Sequence, residues 1–341
     1  MRIVLYLIIA GFCFFAHRVY AQETKDSIYK QYDLDAFEIS VKKDALKTGG
    51  VQTYSLGLKS IERLPQLFGA TDAIRTLQLL PGVQTVGEAS SGLYIEGCNP
   101  SQNLVLLDHA PVFNPVHLGG FFSVFNNDHF NDFQLQKNFI PAEYGGRLAA
   151  VLTVNSKTDI PKKITSDANV SLLMSNATVR VPLNEKSAVA LSGRISYVNP
   201  ILGLLTPRDN LTPRSQRKAA LQYNFYDFNL GYYYLHGRNE WKLSLYTGQD
   251  KSALNLSEKY MNGYLQWGNL TASLNWKHTT SVGSLNQTLY SASYRDDFSL
   301  SLGLISDVNF LSSLQEVGYK NHFSGETSKL KYSLGLDYLY R

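Results

Sequence analysis

Asn269-Leu270-Thr271-Ala272-Ser273-Leu274-Asn275-Trp276-Lys277 is the stretch that decides the fold. Its even positions are apolar and its odd ones polar, so an extended chain puts Leu270, Ala272, Leu274 and Trp276 on one face and the rest on the other. Leu330–Tyr340 does the same, with Leu330, Tyr332, Leu334, Leu336, Tyr338 and Tyr340 set against Lys331, Ser333, Gly335 and Asp337. Similar alternation runs through Val189–Tyr197, Tyr226–Tyr234, Trp241–Leu245 and Tyr290–Tyr294. A soluble β-sandwich also alternates in this way. Three features favour a membrane barrel. The segments approach the ~10 residues that a tilted spanning strand needs. All three Trp and 15 of the 22 Tyr fall after Lys157, and such rings suit the headgroup zone, where an apolar body and a polar tip are both satisfied.

Before Ile164 the pattern is different. Thr71 and Asp72 can cap a helix through Ala73, Ile74, Leu77 and Leu80, which Pro81-Gly82 ends. Short apolar runs at Asn103–Asp108, Phe133–Asn138 and Ala150–Ser156, separated by loops rich in Gly, Asn and Pro, read as buried strands. The region from about Leu56 to Lys157 is therefore a compact mixed domain.

Residues 1–21 read as a cleavable signal peptide. Arg2 precedes an apolar run from Ile3 to Ala16 that is too short to span a membrane, and Val19 and Ala21 stand at the positions a signal peptidase reads. The leader takes Arg2 and Arg18 with it, so the 32 basic residues fall by two against 28 acidic ones. Nucleic acid gains no support from that balance. Cys98 is the one cysteine left after export, which excludes an internal disulfide. With no second long apolar run, any membrane span must be built of strands.

Five pieces of the mixed region, in order and spacing, resemble the plug of TonB-dependent outer-membrane receptors, in particular the kind common in Bacteroidota. They are Ala73–Val83 (AIRTLQLLPGV), Gly92–Gly97 (GLYIEG), Gln102–Asp108 (QNLVLLD), Asn114–Asn126 (NPVHLGGFFSVFN) and Pro141–Leu148 (PAEYGGRL). Pro81, Gly82, Gly97, Asp108, Tyr144, Gly145, Gly146 and Arg147 carry the match most specifically. The resemblance implies a mixed α/β plug domain at 56–157, followed by antiparallel transmembrane β-barrel strands at 158–341. Residues 22–55 would form an extended segment. It also implies a cell outer membrane location, with lipid around the barrel, and TonB-coupled import of a scarce small solute. Energy would come through TonB and its inner-membrane complex, and an outer-surface lipoprotein is a further expected partner. No cofactor is implied and no nucleic acid.

In that family the plug sits inside a barrel of roughly 22 strands. Here about eight or nine alternating segments follow Ile164, and the chain stops at Arg341 after one of them. That pattern reads as a partial barrel, truncated or part of a longer protein. Two alternatives remain beside transport: a non-transporting remnant of such a receptor, and a small surface β-protein that binds glycan.

Phe37-Glu38-Ile39-Ser40-Val41 looks like the TonB box, an extended peptide able to add a strand to a partner's sheet edge. An ordinary plug strand or a loose tail fits it as well. Two positions depart from the family pattern: Glu96 stands where Arg usually precedes Gly97, and His109 where Gly usually follows Asp108. The first reverses a charge in the plug, and the second takes a Gly from a tight turn. Gly145-Gly146 after Tyr144 reads as a tight turn. Arg147 and Arg75 are each either paired to a barrel carboxylate or solvated. His109, Phe113, His117 and Phe121 are candidate ligand contacts on outward loops, or simply loop packing. The spacing of Asp108, His109 and His117 fits no metal motif, and no nucleophile elbow, phosphate loop or metalloprotease helix is present. The sequence therefore offers no enzyme.

Overall fold

In a computed structural model of the protein, the described residues are 40–41, 52–57, 72–85, 92–138, 140–205, 221–257, 261–302, 306–327 and 330–341. All of these lie in one contact unit, Glu38–Arg341. The leader read at 1–21, and Phe37, Glu38 and Ile39, lie outside them.

Helix α1 is Ala73–Leu77. Asp72 starts it by accepting from the N–H groups of Ile74 and Arg75, which satisfies donors that the first turn leaves open. The helix is shorter than the pattern to Leu80 suggested, because 78–82 tighten into turns and Gly82 leaves at φ 73°. Leu80 is still buried. Around α1 lie the short strands β1 Ser40–Val41, β2 Gln52–Gly57, β3 Val83–Gln84, β4 Tyr94–Ile95, β5 Leu104–Leu107, β6 Ala110–Pro111, β7 Val116–His117, β8 Phe122–Ser123, β9 Phe130–Lys137 and β10 Ala150–Ser156. A six-stranded sheet runs β1-β2-β9-β10-β5-β6. Only β10 and β5 are parallel within it. The three apolar runs read from sequence are β5, β9 and β10, the adjacent central strands, and Phe133, Leu135, Leu152 and Val154 close over Ile74 and Leu77 in one core. The sheet also takes in residues before 56, through β1 and β2.

Asp108 and His109 form the two-residue turn between β5 and β6, with φ 45° and 72°. Two positive φ values in a row are what a hairpin turn matched to strand twist demands. His109 thus occupies a conformation in which Gly costs least.

The second sheet has nine strands in sequence order: β11 Thr165–Val170, β12 Met174–Asn184, β13 Ser187–Ser196, β14 Leu221–His236, β15 Asn239–Ser257, β16 Met261–Thr279, β17 Gly283–Ser301, β18 Asp307–Glu326 and β19 Lys331–Tyr340. Every neighbouring pair is antiparallel. The connections at one end are short: residues 185–186, 237–238, 280–282 and 327–330. At the other end the β13–β14 connection spans 197–220 and holds a second helix, α2 Val198–Leu205, which the sequence reading did not foresee. Among the described residues no helix is long and apolar enough to cross a membrane.

Burial in this sheet is inverted. On β16, Asn269, Thr271 and Ser273 are buried, whereas Leu270 and Leu274 are 49% and 41% exposed. On β14, Asp227 and Asn229 are buried while Tyr226 and Phe228 face out. The polar face is turned toward the mixed domain, and the apolar face away from it, uncovered by the other described residues. A sandwich does the opposite. Trp241 and Trp276 stack at 5.5 Å on the outward face beside the short turns, a position that suits a headgroup girdle. Trp267 corrects that expectation for the third Trp: it points inward and packs with Tyr223 and Phe122. Strands β14 to β18 run to 16–20 residues, longer than a span requires. The apolar outward rows give way to Asn224, Lys251, Gln266 and Asp297 toward the long-connection end, so the strands continue past the apolar band.

Candidate functional site

The polar face of the long sheet and the mixed domain meet in a seam of buried charge. Its centre is the hairpin β7–β8, where His117 pairs with Phe122. Leu118, Gly119 and Gly120 all take positive φ in the turn, so the two glycines are required there. This turn aims the Leu118 N–H at the wall, where it donates to the Tyr223 hydroxyl and, at 3.3 Å, to Asp250 Oδ1.

His117 is 1% exposed and both ring nitrogens are engaged, Nδ1 with Asp250 Oδ2 at 2.6 Å and Nε2 with Asp227 Oδ1 at 2.8 Å. Its ring stacks on Phe225, centroids 4.3 Å apart. Burial works against a charge on the imidazole, but Asp227 and Asp250 outweigh it and hold the proton up to about pH 9. Arg194 closes the group, bonding Asp227 Oδ2 at 2.7 Å through Nε and the Ser123 carbonyl at 2.7 Å through Nη2. Tyr246 donates to Asp227 Oδ1 at 2.9 Å. Two cations and two carboxylates thus sum to zero, which is how buried charge is tolerated. The Ser123 N–H donates to Asp72 Oδ2 at 2.5 Å, so the residue that caps α1 also ties the helix to the hairpin.

Two further anchors flank this group. Asp108, fully buried, is ion-paired to Lys242 and accepts from the Ser156 N–H at 2.9 Å and hydroxyl at 2.8 Å. Burial pushes its carboxyl up, but Lys242 and Ser156 outweigh this and hold it at about 2. Asn269 clamps the backbone of the preceding loop, accepting from Phe113 N–H at 3.2 Å and donating to the Asn114 carbonyl at 2.8 Å.

The residues singled out from sequence separate in the structure. His117 is committed to the wall, whereas His109 is exposed and lines a cavity of about 470 Å³ with Glu143, Tyr144, Lys320, His322 and Asp337. Phe113 and Phe121 are half-buried, and the Phe121 carbonyl accepts from Arg75. Arg147 is exposed and meets no carboxylate among the described residues. Glu96 pairs with Lys137 at 2.7 Å beside the Pro81 carbonyl, so its charge is met inside the mixed domain. Gly97 sits at positive φ in a turn and Gly146 at positive φ in a bend, whereas the hydrogen-bonded turn, Tyr144 N–H to the Pro141 carbonyl at 3.0 Å, falls just before Gly145. Ser40 and Val41 pair with Ser55 and Tyr54. Among the described residues no three His, Cys, Asp or Glu side chains are placed to hold a metal.

Arg194, Asp227, Tyr246, Lys242 and Asp250 were missed from sequence. Each lies on the inward parity of its strand, and a charge at mid-strand on the wet face was the available signal.

A folded α/β domain bonded to the polar face of an antiparallel sheet, with apolar side chains on the reverse, is an arrangement similar in fold to solved outer-membrane receptors and transporters. A mutant of the ferric enterobactin receptor PfeA from Pseudomonas aeruginosa is similar, with TM-score 0.59, 14% identity, and cover of 89% of this chain and 50% of that one. The outer membrane transporter YddB of Escherichia coli gives 0.60, 14%, 84% and 48%. The copper transporter OprC gives 0.59, 11%, 84% and 45%. At such identities the likeness is one of fold, and the chain spans about half the length of these structures. No family model matches the sequence and no curated protein does.

Proposed function

We propose that the chain supplies the plug and barrel strands of a TonB-dependent importer of the outer membrane, of the kind common in Bacteroidota. The observation that carries this reading is the inverted burial of β12 to β18 around a domain bonded to their polar face. Residues 22–55 would be the extended segment, 56–157 the plug, with β1 and β2 lent to its sheet from the segment before, and 158–341 barrel strands. The motif residues Pro81, Gly82, Gly97, Asp108, Tyr144, Gly145, Gly146 and Arg147 belong to the plug in this reading. A scarce small solute is the cargo. One fold neighbour is named for ferric enterobactin and another for copper, which supports a small cargo. His109, Phe113 and Phe121 remain the candidate contacts for it, while His117 acts by holding the hairpin in place.

TonB would engage Phe37–Val41 by strand addition. Among the described residues Ser40 and Val41 pair with β2, and freeing these two gives up few hydrogen bonds, each worth about 1 kcal/mol net. The test is retention of the purified periplasmic domain of TonB on the protein, with Phe37–Val41 intact or replaced by Gly and Ser. Retention by the intact chain that is lost on replacement is expected. Equal retention by both, or by neither, contradicts the proposal.

A further inference from the structure

The inward face of the long sheet, polar over most of its length, turns apolar toward the end that carries the 197–220 connection. Tyr223, Leu265, Phe298 and Phe310 share one cross-strand row with Ser252, and Leu221, Leu254, Leu300 and Val308 share the next with Gly263. All have the strand parity of Asp227, Asn269 and Thr271, so they lie on the side of the mixed domain. In an outer-membrane barrel the short turns face the periplasm, which puts these rows at the outer mouth. Tyr223 and Leu265 pack into the cluster around Phe122 and Trp267, whereas Phe298, Leu300, Val308 and Phe310 join neither apolar cluster. Phe310 is 57% and Val308 45% exposed. An apolar patch left open on an otherwise polar face is the mark of a ligand surface.

One carboxylate stands at its edge. Asp296 lies on the same face two residues before Phe298, about 7 Å along the strand, with Trp267 and Ser312 as its direct cross-strand neighbours. Its Oδ1 and the indole Nε1 of Trp267 are buried without a hydrogen-bond partner. A buried carboxylate oxygen left unpaired is costly, so this one calls for a donor from outside the chain. Asp227 and Asp250, on the same face, are already matched by His117 and Arg194. From Asn269 toward this end, no Lys or Arg shares the inward face of β14 to β18 among the described residues. Lys251 and Arg295 have the outward parity, and Arg75 of α1 is bonded to the Phe121 carbonyl.

We propose that this face receives the cargo, and that the cargo is a compact aromatic solute carrying a cationic amine, not an anionic chelate. The proposal rests on the importer reading above. The ring would lie against Phe298 and Phe310, which face each other directly across β17 and β18, while the ammonium donates to Asp296 Oδ1. Tyr294 and Leu314, the direct pair on the other side of Asp296, extend the apolar surface. Phe113 is held beside this wall by Asn269, the cross-strand neighbour of Tyr294. An anion in the same place would meet the Asp296 charge with no cation on the wall to offset it.

The experiment uses the whole protein in nanodiscs of zwitterionic lipid, with empty nanodiscs as the blank. The probes in equilibrium dialysis are 1-naphthylmethylamine and 1-naphthylacetate, which share a ring system and differ in charge. The amine should be retained above the blank and the acid should not. Asp296→Asn should weaken retention of the amine roughly tenfold, the scale of one charge-assisted contact, and Phe310→Ser, at an exposed position, should weaken it as well. Equal retention of the acid, no retention of the amine, or an amine signal undiminished in either variant overturns the assignment. Retention of the TonB periplasmic domain, measured on the same preparation, separates the two claims. A protein that holds the TonB domain but shows no preference for the amine defeats the cargo class alone. One that binds the amine through Asp296 yet never retains TonB defeats the importer reading and leaves the binding site standing.

Discussion

His117 holds one proton between Asp227 and Asp250, and that proton sets a pH dependence. An ordinary imidazole titrates near 6.5, while folded His117 keeps its proton to about 9. The folded state therefore binds the proton more tightly than the unfolded chain. Its contribution is complete below about 6.5 and disappears as pH rises through 9. Asp108 runs the other way: held at about 2, it contributes fully above its ordinary 3.8 and is lost as pH falls through 2. Urea unfolding in detergent should show a midpoint that drops between pH 7 and 10, with His117→Gln lowering the midpoint at pH 7 and removing most of that drop. An unchanged slope in the variant would mean that the proton resides elsewhere. At this scale the sequence was half legible. His117 and Asp108 were singled out, but the partners of His117 lie 110 and 133 residues away. Nothing local in an -Asn-Pro-Val-His- loop distinguishes a buried cation from a ligand contact. The Asp108-His109 turn was more open to reading, because tight-turn geometry is a local property.

Strand β16 carries the argument at the level of the element. Its alternation was plain in the sequence, and so were the strand positions of β5, β9 and β10, because period two and short apolar runs are local patterns. Which face is inside was not. Alternation is the same whether a strand lines a dry core or faces lipid, and only packing against the mixed domain assigns Thr271 and Ser273 to the interior. The short helix α2 escaped because Pro200 and Gly203 break its pattern. Leu274→Arg discriminates the two environments. On a lipid-facing strand it should cost about 2–4 kcal/mol, read as a lowered urea midpoint and reduced yield from the membrane fraction, whereas Leu274→Ile should change little. A Leu274→Arg protein as stable as the parent would place that face in water.

For the whole molecule, the arrangement is a small folded domain fastened to the wet side of a sheet whose greasy side faces away. The fastening is electrostatic and hydrogen-bonded, through the His117 group, Asp108–Lys242 and the Asn269 clamp, with two apolar clusters beside it. The seam thus combines many directional bonds with an apolar patch in which Phe122 of the hairpin clusters with Tyr223, Phe225 and Trp267 of the wall. The most direct test places single cysteines in a Cys98→Ser background at Leu270, Thr271, Ser273 and Leu274, labels them with a fluorophore in native membranes, and measures quenching by brominated lipid and by aqueous iodide. The account predicts lipid quenching at 270 and 274 and none at 271 and 273. Iodide quenching at 270 and 274, with brominated lipid silent, would contradict it.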